Sequence, residues 1–149
     1  MPRRLIIHNA AGSEGPVLSV HSRVLDREKS VYFHVANRPL AYEWGDSRIV
    51  YIGTTSAGSE RIMTSMAERV YDAFQIHGVN MIEVHEIGCT PRQNVQTWRK
   101  LEKACLLAFR GLYGEKPRLN THGVGLEETD EFDYFNKDQI EGFIELWER

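Results

Sequence analysis

Residues 39–53 read PLAYEWGDSRIVYIG, and this stretch decides the fold. Two runs rich in aromatic and β-branched residues flank the turn-forming residues 45–47, and this pattern predicts a β-hairpin. If the loop centres on Asp46 and Ser47, Tyr42 faces Tyr51 across the two strands. We therefore expect two phenol side chains on one face of a sheet.

Further elements on both sides of the hairpin predict a mixed α+β domain, within the broad α/β class. Their apolar residues recur every second residue or at helical spacing. The predicted strands are Leu5–His8, Val17–Leu25, Ser30–Val35 (ended by a turn at Asn37-Arg38-Pro39) and Val79–Ile87, and the predicted helices are Ser59 to Phe74 (closed by His77-Gly78), about Asn94 to Tyr113, and Lys137–Trp147. We expect a small mixed sheet with flanking helices.

The bulk properties indicate one ordinary globular domain over residues 1–149, with N-terminal strands in 1–29, a core in about 30–120 and a C-terminal part in 121–149. Hydrophobic residues make up 42% of the chain and charged residues 26%, which is a usual mixture. The sequence has no apolar run of the roughly 20 residues that cross a bilayer. Two cysteines give no disulfide framework, so we expect a cytoplasmic protein without a membrane segment.

The charge balance does not advertise a nucleic-acid binder, because the formal net charge is −3. Acidic residues are unevenly distributed, however, and crowd the region after residue 125. They are Glu127, Glu128, Asp130, Glu131 and Asp133. We interpret this run as a solvated face. It leaves the first 120 residues more basic than the total, and a local cluster of cations is sufficient to attract nucleic acid.

Two charged residues occupy positions that a purely structural helix would fill differently. Glu102 borders an apolar stripe, where it either reaches water or a basic neighbour, or else coordinates a cation. Arg61 lies in the first turn of its helix, where the helix dipole disfavours a cation. Its guanidinium and the free backbone N–H groups suit a phosphate. The alternative is a surface arginine paired with Glu60 or Glu68.

Other chemistries find no support in the sequence. The spacing of His77, His85 and His122 matches no zinc pattern, and the two cysteines do not complete one. Cys105 belongs to the apolar stripe of a helix, which argues against a cysteine nucleophile. The chain has neither a glycine-rich phosphate loop nor a serine elbow.

The chain resembles the GIY-YIG nuclease superfamily over roughly residues 30–120. The features that carry the resemblance are Val50-Tyr51-Ile52-Gly53, Arg61, Glu102 in an LExxxLL helix, and Pro117-Arg118-Leu119-Asn120. Their order, spacing and element type agree with the family. The resemblance implies a hairpin, a helix carrying an arginine, a third strand, a helix carrying a metal-binding glutamate, and a closing P-x-x-N segment.

Residue by residue, the resemblance assigns Tyr51 as the second motif tyrosine, Arg61 as the catalytic arginine, Glu102 as the metal ligand and Asn120 as the supporting asparagine. The first motif tyrosine is either Tyr42 or Tyr32. We favour Tyr42 because it gives the tighter hairpin, whereas the letters around Tyr32 match better. Neither candidate has the motif glycine beside it. The stretch Arg110–Lys116 is interpreted as an insertion.

These assignments imply a metal-dependent endonuclease, a hydrolase that cuts phosphodiester bonds in DNA. Glu102 would hold one Mg²⁺ or Mn²⁺, Arg61 would contact the scissile phosphate, and a tyrosine would act on the attacking water. Analogy with repair, restriction and homing nucleases favours DNA over RNA, although the motif itself does not separate them.

Two points stay open in this interpretation. A lone nuclease domain must form a homodimer, bind a protein partner, or read its target through loops such as 9–16 and 110–116. The missing motif glycine and the acidic net charge also allow a second hypothesis. In that hypothesis, the chain is a catalytically weak or inactive GIY-YIG-fold module that binds nucleic acid or protein.

Overall fold

A computed structural model describes residues 20, 29–121 and 125–149 of the chain. The predicted strand Leu5–His8, nearly all of Val17–Leu25, the loop 9–16 and His122 lie outside these residues. The described elements are β1 (Ser30–Tyr42), β2 (Gly45–Thr55), α1 (Ser59–Phe74), β3 (Ile82–Ile87), α2 (Thr97–Tyr113), α3 (Glu131–Tyr134) and α4 (Lys137–Leu146). The predicted mixed α+β class is confirmed, and none of these helices has the length and apolarity needed to cross a membrane.

The sheet has the strand order β2-β1-β3, and both neighbouring pairs are antiparallel. The register sets Tyr32 opposite Gly53, His34 opposite Tyr51, and Tyr42 opposite Gly45. The predicted pairing of Tyr42 with Tyr51 is therefore wrong. Tyr51 instead has the first half of β1 as its neighbour.

The hairpin turn lies three residues before its predicted centre. Tyr42 pairs with Gly45, so Glu43 and Trp44 form the turn and residues 45–47 already belong to β2. The end of α2 holds this turn, because the Trp44 backbone N–H donates to the Tyr113 carbonyl at 3.1 Å. The backbone N–H of Glu43 likewise donates to Glu115 Oε1 at 3.1 Å. Distant residues thus override the local preference for a turn at Asp46 and Ser47.

The predicted turn at Asn37-Arg38-Pro39 is also wrong, because these residues continue β1. The pairing with β2 is irregular between Val35 and Leu40, so the strand bends without ending. Asn37 binds the segment before β3: its backbone N–H donates to the Met81 carbonyl at 3.1 Å, and its side-chain oxygen accepts from the Asn80 N–H at 3.1 Å. The polar residues that suggested a turn therefore fasten a neighbouring loop.

The two faces of the sheet have different roles because strand side chains alternate. Val31 and Phe33 face the hydrophobic core, which they share with apolar residues of α2 and α4. Tyr32 and His34 project from the opposite face, where they meet residues of α1. The chain thus builds its core on one side of β1 and a polar aromatic cluster on the other.

The acidic run after residue 125 is only partly the solvated face that we predicted. Glu127, Glu128 and Asp133 are exposed. Glu131 is buried and lies 2.7 Å from Lys103 Nζ, while Asp130 pairs with Lys100. Two carboxylates of the run therefore attach α3 to α2.

Replacing Phe109 with alanine should destabilise the fold strongly, because its ring is fully buried between Tyr42 and Tyr113. We expect a loss of about 3–5 kcal/mol in the free energy of unfolding, measured by urea denaturation. Phe74→Ala is the matched control, since Phe74 is 37% exposed, and it should cost less than about 1 kcal/mol. Equal losses in the two variants would contradict the described core.

Candidate functional site

Tyr32 and Tyr51 lie side by side on the α1 face of the sheet, with ring centroids 6.1 Å apart. Both rings cover Gly53. A Cβ atom at this position would lie 2.6 Å from Tyr51 Cε1 and 2.8 Å from Tyr32 Cζ. Contacts this short are repulsive, so the two phenols can pack together only over a glycine.

Three residues of α1, spaced four apart, border the tyrosine pair. Arg61, Ser65 and Arg69 share one side of the helix because of this spacing. The Arg69 guanidinium carbon lies 3.9 Å from the centre of the Tyr51 ring, and Arg69 Nη1 donates to Ser65 Oγ at 3.2 Å. Glu68, one of the alternative partners of Arg61, lies 3.4 Å from Arg69 instead.

The Tyr32 hydroxyl is held in its neutral form. Burial, together with the neighbouring Tyr51, raises the pKa of Tyr32 to about 12, against the opposing effects of the Ser65 hydrogen bond and the Arg61 charge. A phenol with this pKa stays protonated at neutral pH. It can donate a hydrogen bond to a water or to a phosphate oxygen, and it is a poor base.

His34 completes the cluster from the next inward position of β1. Its ring lies 5.1 Å from that of Tyr51, and its side chain is 1% exposed. Burial, reinforced by the charge of Arg69, lowers the pKa of His34 to about 4. Within the described residues, His34 Nε2 has no hydrogen-bond partner. The cluster therefore contains a neutral imidazole with an unused nitrogen.

Asn120 lies at the free edge of β2. Its side-chain oxygen accepts from the Ile52 N–H at 3.0 Å, and its side-chain nitrogen donates to the Ile52 carbonyl at 2.8 Å. The Leu119 N–H also donates to the Val50 carbonyl at 2.9 Å. Asn120 thus fastens the segment after α2 beside Tyr51 and Gly53.

Tyr42, our favoured first tyrosine, lies away from this cluster. Its ring meets Phe109 edge-on with centroids 5.2 Å apart, and its hydroxyl donates to the Ile49 carbonyl at 2.7 Å. The same hydroxyl accepts from the Arg118 N–H at 3.1 Å. Its hydroxyl is therefore occupied by the core, and Tyr32, the alternative, is the tyrosine beside Tyr51.

Glu102 is half-buried on α2, the helix that packs against the core face of the sheet. Burial raises the pKa of Glu102 to about 7, and the charge of Arg99 opposes this shift. The structure brings Tyr32, Tyr51 and Arg61 together, and Glu102 is not among the groups that shift the pKa of Tyr32. Glu102 is a desolvated carboxylate outside the immediate tyrosine cluster.

Among the described residues, a metal ion would find at most two ligating side chains together. Residues 29–121 and 125–149 contain no group of three histidine, cysteine, aspartate or glutamate side chains that could hold one. Glu102 fits a one-carboxylate site chemically, because a bound cation would offset the cost of burying its charge. Glu86 is a second carboxylate to consider, since it pairs with Tyr32 across β1 and β3 and so shares its face.

Four further residues lie around the tyrosines without having been predicted, and simple spacing rules could have found three of them. His34 follows Tyr32 by two positions in a strand, and Ser65 and Arg69 follow Arg61 by four and eight in a helix. Glu86 becomes visible only from the pairing of β3 with β1, which no local pattern supplies.

No protein-family model, curated protein or solved structure matches the chain. The likeness to GIY-YIG nucleases therefore depends on the motif residues and their arrangement alone.

The free energy of unfolding should fall as the pH drops from about 6.5 to 4, because His34 takes up a proton in the unfolded chain but stays neutral in the folded one. The full effect of this histidine is on the order of 3 kcal/mol. Chemical denaturation of wild type and His34→Phe across this range measures it as the difference between the two profiles. Parallel profiles would contradict a neutral buried imidazole.

Proposed function

We propose that the chain is a metal-dependent phosphodiesterase of the GIY-YIG type, a hydrolase that cuts DNA as an endonuclease. One observation carries the proposal. The phenols of Tyr32 and Tyr51 pack together over Gly53, beside the helix that bears Arg61. Two phenols, a guanidinium and a helix start form a set of donors that suits a phosphate and an attacking water.

The beginning of α1 supplies the phosphate-binding part of this proposal. Gly58 is the N-cap residue, and no side chain caps the helix there. Uncapped backbone N–H groups at a helix start attract anions, and the Arg61 guanidinium would add charge-assisted hydrogen bonds to the same phosphate. Arg61 would thereby neutralise the charge that develops on phosphorus-bound oxygens during cleavage.

The tyrosines have separate roles in this mechanism. Tyr32 is neutral at pH 7 and hydrogen-bonded to Ser65, so it would orient the attacking water or a phosphate oxygen as a donor. The Arg69 guanidinium packs on the ring of Tyr51 and fixes its orientation. Tyr51 would contact the same water or phosphate oxygen from the other side. Asn120 would keep the β2 edge in place through its two bonds to Ile52.

Glu102 would anchor Mg²⁺ or Mn²⁺, which would stabilise negative charge on the phosphate and the leaving oxygen. The raised pKa of Glu102, about 7 through burial, supports this role, because a buried carboxylate without a full counter-charge has affinity for a cation. A single carboxylate implies weak binding in the absence of substrate.

Arg61→Gln and Glu102→Gln should each lower Mg²⁺- or Mn²⁺-dependent nicking of plasmid DNA, on the order of a hundredfold or more. Lys137→Gln is the control, because it removes one positive charge from exposed α4. In thermal unfolding, Mn²⁺ at about ten times its Kd should stabilise wild type by about 1.4 kcal/mol and leave Glu102→Gln unchanged.

Glu86→Gln separates two versions of this site. If Glu86→Gln abolishes cleavage and Mn²⁺ stabilisation while Glu102→Gln keeps both, the metal ligand is on the tyrosine face and our assignment of Glu102 is wrong. Full nicking activity in Arg61→Gln would remove the phosphate-binding role of α1.

Tyr32→Phe and Tyr42→Phe should have opposite consequences. Tyr32→Phe should lower cleavage on the order of a hundredfold, because it removes the donor for water or phosphate. Tyr42→Phe should keep the activity but lower the free energy of unfolding by about 1–3 kcal/mol, since the Ile49 carbonyl and the Arg118 N–H lose their partner. Plasmid nicking measures the activity of both variants, and urea denaturation measures their stability. Full activity in Tyr32→Phe would contradict the role of Tyr32 and make Tyr42 the candidate for the first motif tyrosine.

A second candidate function is a nucleic-acid- or protein-binding module without turnover. It is favoured by the position of Glu102, which is carried by the helix on the core face and is not among the groups acting on Tyr32. Salt-sensitive DNA binding that is independent of metal and lost in Arg61→Gln, with no cleavage of DNA or RNA, would select this function.

The proposal includes a cytoplasmic location and a second DNA-binding surface. This surface would come from a homodimer, a protein partner or a loop of the chain itself. Residues 110–113, which we had assigned to a target-reading loop, belong to α2, and Glu115 holds the hairpin turn. Dimerisation or a protein partner is therefore the stronger version.

A further inference from the structure

A cavity of about 910 Å³ lies on the core side of the sheet, between the segment after β3, the start of α2, and helices α3 and α4. None of its lining residues belongs to β1, β2 or α1, so it is distinct from the tyrosine cluster. Its volume falls within the range of roughly 300–1,000 Å³ that small-molecule sites occupy.

The start of α2 opens into this cavity. Gln96 is the N-cap residue, and its side chain makes no capping hydrogen bond. Thr97 lines the cavity and is only 5% exposed. The Thr97 side chain at the cavity wall and the uncapped backbone N–H groups beside it provide donors for an oxyanion.

A cation and an aromatic ring stand beside these donors. Arg92 and Tyr134 both line the cavity, and the Arg92 guanidinium carbon lies 5.5 Å from the ring centre. Lys100 Nζ lies 4.9 Å from the same ring, but its charge is paired with Asp130. Asp133 also lines the cavity and opposes an anion. Arg92 is therefore the cation we assign to the ligand.

Thr90 and Gln139 are the other polar residues of the lining, and its apolar part includes Leu101, Phe135, Ile140 and Phe143. An inorganic anion would leave this surface in contact with water. A ligand with a flat apolar body would cover it and stack against the aromatic side chains. The lining thus combines an oxyanion end with an aromatic end.

We propose that this cavity is a binding site for a small aromatic oxyanion, such as an aryl phosphate. Its oxyanion contacts the Thr97 hydroxyl, the first N–H groups of α2 and Arg92, while its ring packs among Tyr134, Phe135 and Phe143. The site is independent of the proposed nuclease function, because neither Arg61 nor Tyr32 nor Tyr51 lines the cavity.

The test uses phenyl phosphate as the probe and the full 149-residue chain, with inorganic phosphate and phenol as the two separated halves. Calorimetry and amide NMR shifts report binding. We expect phenyl phosphate to shift the amides of residues 97 and 98 and to bind at least about tenfold tighter than either half. Thr97→Val keeps the side-chain shape and should weaken binding about tenfold, as should Arg92→Gln.

Arg99→Gln is the control, because it removes a positive charge from α2 at a residue that does not line the cavity, and it should leave binding unchanged. Loss of binding in Arg61→Gln but not in Thr97→Val would move the ligand to the tyrosine face and overturn the proposal. If inorganic phosphate binds as tightly as phenyl phosphate, the aromatic residues of the cavity do not contribute to binding and that part of the proposal is wrong. NMR contacts between residues 1–28 and the cavity, with no binding of phenyl phosphate, would show that the cavity holds the protein's own chain.

Discussion

The register between β1 and β2 is the constraint on which the site depends. It sets Tyr32 opposite Gly53 and His34 opposite Tyr51, so that two phenols and an imidazole share one face. The glycine is what makes this row possible, because a Cβ at Gly53 would collide with both phenol rings. A shift by one residue would turn Tyr51 toward the core and Ile52 toward α1. The same pairing that buries Phe33 and Ile52 therefore also assembles the polar cluster.

The division between the two faces explains why the cluster can be polar without weakening the fold. The core face carries the aliphatic and aromatic residues that α2 and α4 cover. The α1 face carries groups that need partners, and α1 provides them at a helical spacing: Ser65 bonds Tyr32, and Arg69 bonds Ser65 and covers the Tyr51 ring. Burial there keeps Tyr32 and His34 uncharged, and the guanidinium groups of Arg61 and Arg69 lie beside the phenols. Guanidinium groups in this position attract anions.

Local patterns predicted the element types, and long-range contacts account for the differences between the predicted and the observed hairpin. The α+β class, α4, and the positions of Tyr51, Arg61 and Asn120 follow from periodicity and motif spacing within single segments. The turn and the first tyrosine do not. The hairpin turn is fixed by Tyr113 and Glu115, about 70 residues away along the chain, and this moved Tyr42 into the core. Glu131 looked solvated because its partner, Lys103, belongs to another helix.

The two candidate functions, enzyme and binding module, differ in what offsets the cost of burying the Glu102 carboxyl group. Burial raises its pKa to about 7. In the protein alone, the protonated and the charged forms of this carboxyl group are therefore both populated near neutral pH. A protonated Glu102 needs no counter-charge and is compatible with a module that only binds. A charged Glu102 needs a cation, and Arg99 offsets the burial only in part. Because substrate phosphate brings further negative charge, it would favour the charged, metal-bound state of Glu102 over the protonated one.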